Sequence, residues 1–430
     1  MDDQHGADCG CQEYNELSRR QFLGAAAGVS AIAFFPDWLP KIVMSKSYAS
    51  NRDVIVSVFM RGGADGLSLV VPFADPNYYA ARSTIAIPQP DSASPNKGIA
   101  LDDSFMFPRA MAGLVPAYAG TDLLIVHAAG QSNVSRSHFD AQRYMEVGKP
   151  VDPTLVTGWL GRHLASIPPL KPSAPLRALG IANGLQKTLV GAPKTLPIAS
   201  PANYSIGGSA STQAQRLAFL DGDYASAEEP VHSAALDATN TVGLLKSVNF
   251  ATYGPANGAV YPTSSFGSAL RSVAVLIKAD VGIEAAQVDI GGWDTHSAQD
   301  PIAGSMFKTM QDFSNSLGAF YADVIATGYN VTVVAFSEFG RNVRENGSNG
   351  TDHGRASAMF AMGKGIAGGR VLRNWPGLAR ENLEAGQDLK VTIDYRDVLS
   401  EIVLQRLGNT NLDFVFPTWT PTALGVTRQA

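Results

Sequence analysis

Cysteine is nearly absent from this chain of 430 residues. Its only two cysteines, Cys9 and Cys11, stand close to the N-terminus. Everything after residue 11 is therefore free of thiols. This excludes internal disulfides, a cysteine nucleophile and a cysteine-ligated iron–sulfur cluster from the rest of the chain.

Charge is also scarce. Charged residues make up 17% of the chain, the net charge is -5 and the pI is near 5.8. Such a chain has no basic excess, so we expect no nucleic-acid partner. The apolar content of 45% is enough for a large buried core and lies below the level of membrane proteins.

Long hydrophobic runs are missing near the N-terminus. The apolar run at residues 24–35 is too short to span a bilayer, and it follows the sequence SRRQFL at residues 18–23, which is nearly the full twin-arginine signature. We interpret residues 1–49 as a twin-arginine signal segment. Cleavage could follow Ala33 or Ala49. We favour Ala49, because it removes an apolar tail; an uncleaved anchor is the alternative.

This signal segment predicts a periplasmic or secreted protein that binds the twin-arginine translocase during export. No stable membrane span is expected after the signal is removed. The twin-arginine route carries proteins that have already folded, which agrees with a metal site loaded before export.

Histidines are few, and two of them stand in similar loops. Residues 331–336 form an apolar, β-branched run typical of a strand buried on both faces of a parallel sheet. A loop rich in Asn and Gly follows and ends in Asp352 and His353. Open α/β sheets bind their ligands in such places, beyond the carboxyl ends of strands.

A second carboxylate and imidazole follow another predicted strand, at residues 287–290. Asp294 and His296 are two positions apart, so on an extended backbone they face the same side. Oxygen and nitrogen ligands of this kind suit Zn, Mn or Fe. We therefore expect Asp294, His296, Asp352 and His353 to share a metal site.

The remaining pattern alternates strands with amphipathic helices, as in βαβ units. Strands are predicted at residues 53–60 and 123–127, and a helix at 307–325 leads into the strand at 331–336. We predict an α/β fold whose central sheet is mostly parallel and flanked by helices. Residues 50–430 form one domain, with a cap or insertion at about 184–262.

Two further segments follow predicted strands. The turn RGGADG at residues 61–66 offers Arg61 and Asp65 as functional groups beside a ligand, or is a plain strand-to-helix turn. The other segment, residues 128–138, leads into a predicted helix at 139–147, a location that favours an anion. It offers Ser137 or Ser135 as nucleophile or metal ligand, Arg136 as oxyanion clamp, and His138 as ligand or acid/base. The alternative is a serine that caps the helix.

Five motifs in order, RGGADGLS, RSHFDAQ, GGWDTH, SEFGR and GTDHG, resemble the DUF1501 family of exported bacterial proteins over nearly the whole chain. That family is similar in fold to the alkaline phosphatase and sulfatase superfamily. The resemblance implies an alkaline phosphatase-like core with one or two divalent ions, Zn, Mn, Mg or Ca. It also implies that Asp65 is a metal ligand. A histidine that the superfamily often carries after Asp-His-Gly is missing here, so His138 could fill the gap.

Two functions follow. The first is an exported metal-dependent hydrolase of a small or polymeric phosphate ester, less plausibly of a sulfate ester because no cysteine remains to become formylglycine. Arg136 and Arg341 would stabilise the ester's oxygens and Glu338 would act as general base or orient a ligand. The second is a non-catalytic cell-envelope protein that binds a glycan, a phosphate-bearing polymer or a protein.

Overall fold

The computed structural model describes residues 52–428. The predicted signal segment at residues 1–49, with both candidate cleavage sites and both cysteines, lies outside the described residues. Among the helices of residues 52–428, none combines the length and the apolar character that crossing a membrane requires.

The strands of the described chain form a nine-stranded sheet and a separate two-stranded ribbon, β2–β3. In chain order they are β1 Val54–Met60, β2 Ile99–Ala100, β3 Met106–Phe107, β4 Leu123–Gly130, β5 Ala178–Gly180, β6 Thr195–Pro197, β7 Ala285–Ile290, β8 Val331–Phe336, β9 Ser357–Met362, β10 Arg370–Leu372 and β11 Ile393–Asp394.

The α-helices of the same residues are α1 Gly66–Leu69, α2 Pro76–Ala81, α3 Val115–Ala119, α4 His138–Val147, α5 Trp159–Ala165, α6 Gln213–Tyr224, α7 Val231–Ser247, α8 Ser265–Lys278, α9 Ser305–Phe320, α10 Tyr395–Gln405 and α11 Leu412–Val415. A π-helical turn, Tyr321–Ile325, extends α9, so the predicted helix at 307–325 is confirmed.

The large sheet has the order β10-β4-β9-β8-β1-β7-β5-β6, and β11 pairs with β4. Every pairing is parallel except the two made by β9, which runs antiparallel to both β4 and β8. The predicted α/β fold with a mostly parallel sheet is confirmed.

Apolar side chains cover both faces of this sheet. In β1, Val56 and Val58 belong to a core cluster shared with α8 and α9, whereas Ile55 and Phe59 pack in a second cluster with α5 and α10. A strand buried on both faces must be apolar at nearly every position, which explains the continuous runs in β1 and β8.

Residues 154–165 have the amphipathic pattern of a helix, but α5 begins only at Trp159. A carboxylate oxygen of Asp152 accepts hydrogen bonds from the backbone N–H groups of Thr154 and Leu155. Such a side-chain turn competes with the first turn of a helix, because it uses the same N–H groups. The helix therefore starts only after Gly158.

The predicted cap at about 184–262 contains α6 and α7 and several short 3-10 turns. It also supplies β6, which pairs with β5 at the edge of the large sheet. This segment is thus partly continuous with the central sheet.

Candidate metal centre

The candidate site lies where several strands end at one edge of the sheet. Asp294 and His296 follow the carboxyl end of β7, and the helix α4, which begins at His138, follows β4. His353 precedes β9. Because β9 is antiparallel, its amino end lies at the same edge as the carboxyl ends of its neighbours, so these loops meet.

Three ligand atoms form a small triangle at this edge. The Nε2 atoms of His296 and His353 are 2.9 Å apart, and they lie 3.2 and 3.4 Å, respectively, from Oδ1 of Asp294. Ligands of a tetrahedral zinc ion at about 2.0–2.1 Å are separated by about 3.3 Å. The triangle therefore has the dimensions of one face of a metal coordination sphere.

A third imidazole borders the same space. Nε2 of His138 lies 3.7 Å from Oδ2 of Asp294, is buried, and has no hydrogen-bond partner. The ligand atoms that His138, Asp294 and His353 offer all lie within 4.8 Å of one another. A buried nitrogen without a partner is costly, so its position favours a bound cation.

The other ring nitrogen of each histidine is bonded to an acceptor. Nδ1 of His138 lies 2.7 Å from a Glu338 carboxylate oxygen, and Nδ1 of His296 lies 2.9 Å from Oδ1 of Asp352. Nδ1 of His353 lies 2.9 Å from the backbone oxygen of Arg136.

These acceptors determine which nitrogen can bind a metal. An ionised carboxylate or a carbonyl can only accept, so each Nδ1 carries the proton and, in a neutral ring, Nε2 keeps its lone pair. Outer partners of this kind orient the histidine ligands of metal sites. All three Nε2 atoms are thereby directed to the same space.

Glu338 is a buried carboxylate that is fully bonded. It accepts from the backbone N–H of Gly62, Nδ1 of His138, Nε2 of Gln142 and the hydroxyl of Ser337. Burial opposes ionisation, but these hydrogen bonds, that of His138 first, lower its pKa below the ordinary value. Glu338 is therefore ionised and fixes the ring of His138.

Arg341 supports Asp294 from below. Its guanidinium is buried and donates to Asp294 Oδ1 at 2.7 Å. The same guanidinium donates to the backbone oxygens of Gly62, Gly63, Trp293 and Thr351. Burial raises the pKa of Asp294, but Arg341 more than offsets this, so the net shift is downward. All three guanidinium nitrogens of Arg341 are engaged within the protein.

Residues 151–407 match the family described as "Protein of unknown function (DUF1501)". The chain belongs to the DUF1501 family. The matched range includes Asp294, His296, Asp352 and His353, whereas His138 lies just outside it. No curated protein matches this sequence.

Solved structures of an alkaline phosphatase from the Antarctic bacterium TAB5 are similar to this chain. The enzyme itself has 10% sequence identity and a TM-score of 0.30, and the match covers 73% of this chain and 92% of that one. A single-residue variant of the enzyme with Mg bound in its M3 site gives 12% identity, the same TM-score, and coverage of 73% and 91%.

Asp65 of this DUF1501 protein, expected to bind metal, is instead saturated by protein donors. Both of its carboxylate oxygens are bonded to the guanidinium of Arg82, and both residues are buried. Further donors are the hydroxyl of Ser68 and the amide of Gln299. The oxygen of that amide accepts from the hydroxyls of Thr295 and Thr351. Asp65 therefore supports the two ligand-bearing loops from beneath.

The two candidate serine nucleophiles are engaged in the local backbone. Ser137 is the N-cap of α4, and its hydroxyl accepts from the N–H of Asp140. The hydroxyl of Ser135 accepts from the N–H of Ser137. Within residues 52–428, neither hydroxyl forms a hydrogen bond with the histidine and aspartate side chains of the site.

Arg136 contacts the site through its backbone oxygen and forms a separate ion pair through its side chain. Its backbone oxygen bonds His353, while its guanidinium forms an ion pair with the buried Asp388 and is 45% exposed. Asn342 also donates to Asp388. The guanidinium is thus anchored at one nitrogen and open to solvent beside the histidine cluster.

The glycine-rich turn approaches protein and not a ligand. A Cβ at Gly62, whose φ is +123°, would lie 2.7 Å from the backbone nitrogen of Asp294. One at Gly63 would lie 2.4 Å from the ring of Phe339. Arg61 forms ion pairs with Glu146 and Asp289. Because these two glycines have no side chain, the loop after β7 can pack close to the end of β1.

Sequence reasoning missed Gln142 and Asp388 as supporting residues. Gln142 lies one turn after His138 in α4, so helical spacing could have indicated that both face Glu338. Asp388 stands in a loop without a motif, and the sequence carries no signal that would connect it to Arg136.

Proposed function

We propose that this DUF1501 protein is a metal-dependent hydrolase of an anionic ester, phosphate in preference to sulfate. The observation that supports the proposal is the convergence of three histidine Nε2 atoms on Asp294, each ring held by an acceptor at Nδ1. Metal sites in proteins are built in this way.

The nitrogen-rich set of ligand atoms favours a transition-metal ion. Three imidazole nitrogens and one carboxylate suit Zn or Mn better than Mg or Ca, which prefer oxygen ligands. Because all three Nε2 atoms border one small space, we propose a single ion held by His138, Asp294, His296 and His353. Such an ion would polarise the ester and make a bound water more acidic.

The remaining predicted residues take supporting roles in this proposal. Asp352 and Glu338 orient the rings of His296 and His138, and Arg341 holds Asp294 in place. The exposed guanidinium of Arg136 binds the negative charge of the ester, a role for which an oriented fork of N–H donors is suited. Ser137 could act as nucleophile only after its hydroxyl leaves the cap of α4, so we favour water.

Metal analysis and turnover test the proposal together. We expect about one Zn or Mn per chain in the purified protein, and hydrolysis of an aryl phosphate that a chelator abolishes and the same metal restores. Phosphate mono- and diesters and sulfate esters compared at equal concentration would identify the preferred class. Tightly bound metal without turnover of any ester would contradict the catalytic part.

A second candidate function is a non-catalytic binding protein of the cell envelope. It is favoured by the engaged hydroxyls of Ser135 and Ser137 and by Arg341, whose three guanidinium nitrogens all donate within the protein. Saturable binding of a phosphate-bearing polymer, without hydrolysis, would support this function over the first.

We further propose that residues 1–49 direct export through the twin-arginine translocase to the periplasm or the medium. Replacing Arg19 and Arg20 together by lysine should retain the protein in the cytoplasm. Cell fractionation measures this, and unchanged export of the double variant would exclude the route.

A further inference from the structure

Exposed apolar side chains are concentrated in the chain segment that contains His138. Within the described residues ten large apolar side chains are exposed, and four of them fall within residues 134–156. These four are Val134, Phe139, Val151 and Val156, and we call them the apolar rim. Scattered apolar residues on a surface need no explanation, whereas a concentration next to a site indicates binding.

Phe139 is joined directly to the site. It follows His138 in the first turn of α4 and is 90% exposed. Successive Cα atoms are about 3.8 Å apart, so the backbone of Phe139 lies next to that of a proposed metal ligand. A group attached to an ester at the metal would lie within reach of it.

The loop that carries Val151 and Val156 is tied to the same helix. Arg143, one turn after Phe139 and on the same face of α4, donates to the backbone oxygens of Asp152 and Leu155. The loop is therefore tied to α4 at Arg143, and it leaves the ring of Phe139 exposed.

Val151 adopts a conformation that packing does not explain. Its φ is +62°, in the left-handed region that β-branched residues avoid, and its side chain is 61% exposed. Strain of this kind persists most often where a residue serves a ligand.

The same short segment offers charge as well as apolar surface. The exposed guanidinium of Arg136 stands between Val134 and Phe139 in the sequence. A ligand recognised by this segment would carry a negative charge and an apolar group close together.

We propose that the natural ester carries a bulky apolar substituent, an aryl group or an alkyl chain, which binds the apolar rim while its anionic group meets the metal and Arg136. This inference rests on the proposed hydrolase function. The rim is assigned to the substrate because it is continuous with the site through the residues 134–139.

Non-hydrolysable phosphonates test the inference by binding alone. We expect the full-length, metal-loaded protein to bind phenylphosphonate or octylphosphonate at least about tenfold more tightly than methylphosphonate in isothermal titration calorimetry. Whichever of the two is bound more tightly identifies the substituent as aryl or alkyl. The Phe139→Ser variant should reduce the preference to about twofold or less.

The matched control is Phe219→Ser. Phe219 lies in α6 and is 70% exposed, so its replacement removes similar apolar surface outside the rim. This variant should keep the full preference. A preference lost equally in both variants would overturn the inference.

Other outcomes separate the inference from the function on which it rests. Equal binding of all three phosphonates would overturn the inference alone, and so would rim-dependent binding to phosphatidylcholine vesicles without any phosphonate preference. Failure of every phosphonate to bind the metal-loaded protein would overturn the proposed function together with the inference.

Discussion

The interior of β4 and the first turn of the next helix, α4, each contain a histidine, and the two histidines differ in their hydrogen bonds. His127 lies in the buried strand, with Nε2 2.8 Å from the backbone oxygen of Val70 and Nδ1 accepting from the N–H of Ala128. His138 begins the next helix, with one nitrogen bonded to Glu338 and the other without a partner.

This difference separates structural from functional histidines. His127 and His163 are buried among apolar groups, which lowers the pKa of His127 to about 4 and that of His163 to about 3. In His138, His296 and His353 the protein fixes one nitrogen and leaves Nε2 facing a shared space. His127 has both ring nitrogens bonded within the fold, and Nδ1 of His163 accepts from the amide of Asn409. A site histidine differs because its Nδ1 donates to an acceptor while its Nε2 lies beside other potential ligand atoms.

Removing a site histidine should have the largest effect. We expect His353→Ala to reduce bound metal to less than about a tenth of an ion per chain and turnover by at least about a thousandfold, because the ion supplies the main charge stabilisation. Elemental analysis and initial rates measure both. The circular dichroism spectrum should stay unchanged. Wild-type metal content in this variant would show that His353 is not a metal ligand.

Removing a core histidine should do the opposite. His127→Ala should lower the free energy of unfolding by about 3 kcal/mol, because it leaves a cavity and two buried backbone groups without partners. Metal content of the folded fraction should match the wild type. Urea denaturation measures the loss, and a variant that unfolds normally but contains no metal would contradict the comparison.

Changing an outer acceptor should have an intermediate effect. Asp352→Asn keeps the size of the side chain but removes the charge that holds Nδ1–H of His296. Metal affinity should fall about 10- to 100-fold, with the ion still bound at saturation. Competition with a chromophoric chelator measures it. Complete loss of metal would make Asp352 a direct ligand, as the sequence had indicated.

Replacing Arg136, which we propose binds the negative charge of the ester, should have a smaller effect on turnover. Arg136→Lys should raise KM for an aryl phosphate roughly tenfold with little change in kcat, because one ammonium replaces a fixed fork of donors while the backbone oxygen that bonds His353 remains. Steady-state kinetics at fixed metal concentration separates the two constants. A tenfold fall in kcat would instead mean that the substitution disturbs His353, whose ring is bonded by the backbone oxygen of Arg136.

The last prediction concerns stability at acid pH. His127 and His163 are neutral in the folded protein, whereas in the unfolded chain they take up protons below the ordinary pKa of 6.5. Stability is therefore full above about pH 6.5 and declines towards pH 4, by about 1.4 kcal/mol per pH unit for each histidine. His163→Gln should reduce this slope by one proton in urea titrations between pH 6.5 and 4; an unchanged slope would mean that His163 does not contribute.

The sequence predicted the frame of the site better than its contacts. The strand at residues 331–336 and the loops bearing Asp294, His296, Asp352 and His353 follow from apolar runs that stop abruptly, and the structure brings these four side chains together. The antiparallel direction of β9 was not foreseen, because periodicity does not reveal strand direction.

The roles that the sequence did not predict correctly depend on partners that are distant in the sequence. Asp65 resembled a ligand because its partner Arg82 stands 17 positions later, just after the end of α2, and belongs to no motif. Arg341 resembled an oxyanion clamp because a sequence does not show that its donors meet backbone oxygens. Glu338 and His138 are 200 positions apart, so only the folded chain shows that the acid orients the imidazole.

The meeting of three distant segments at one point has a mechanical consequence. Asp294 and His353 are 59 positions apart, and α4 joins them from another part of the chain. An ion held by all three would act as a cross-link in a protein that has no cysteine after residue 11, and cross-links across long loops restrict the unfolded chain most. Apo protein should thus unfold more readily even where no ester is ever present.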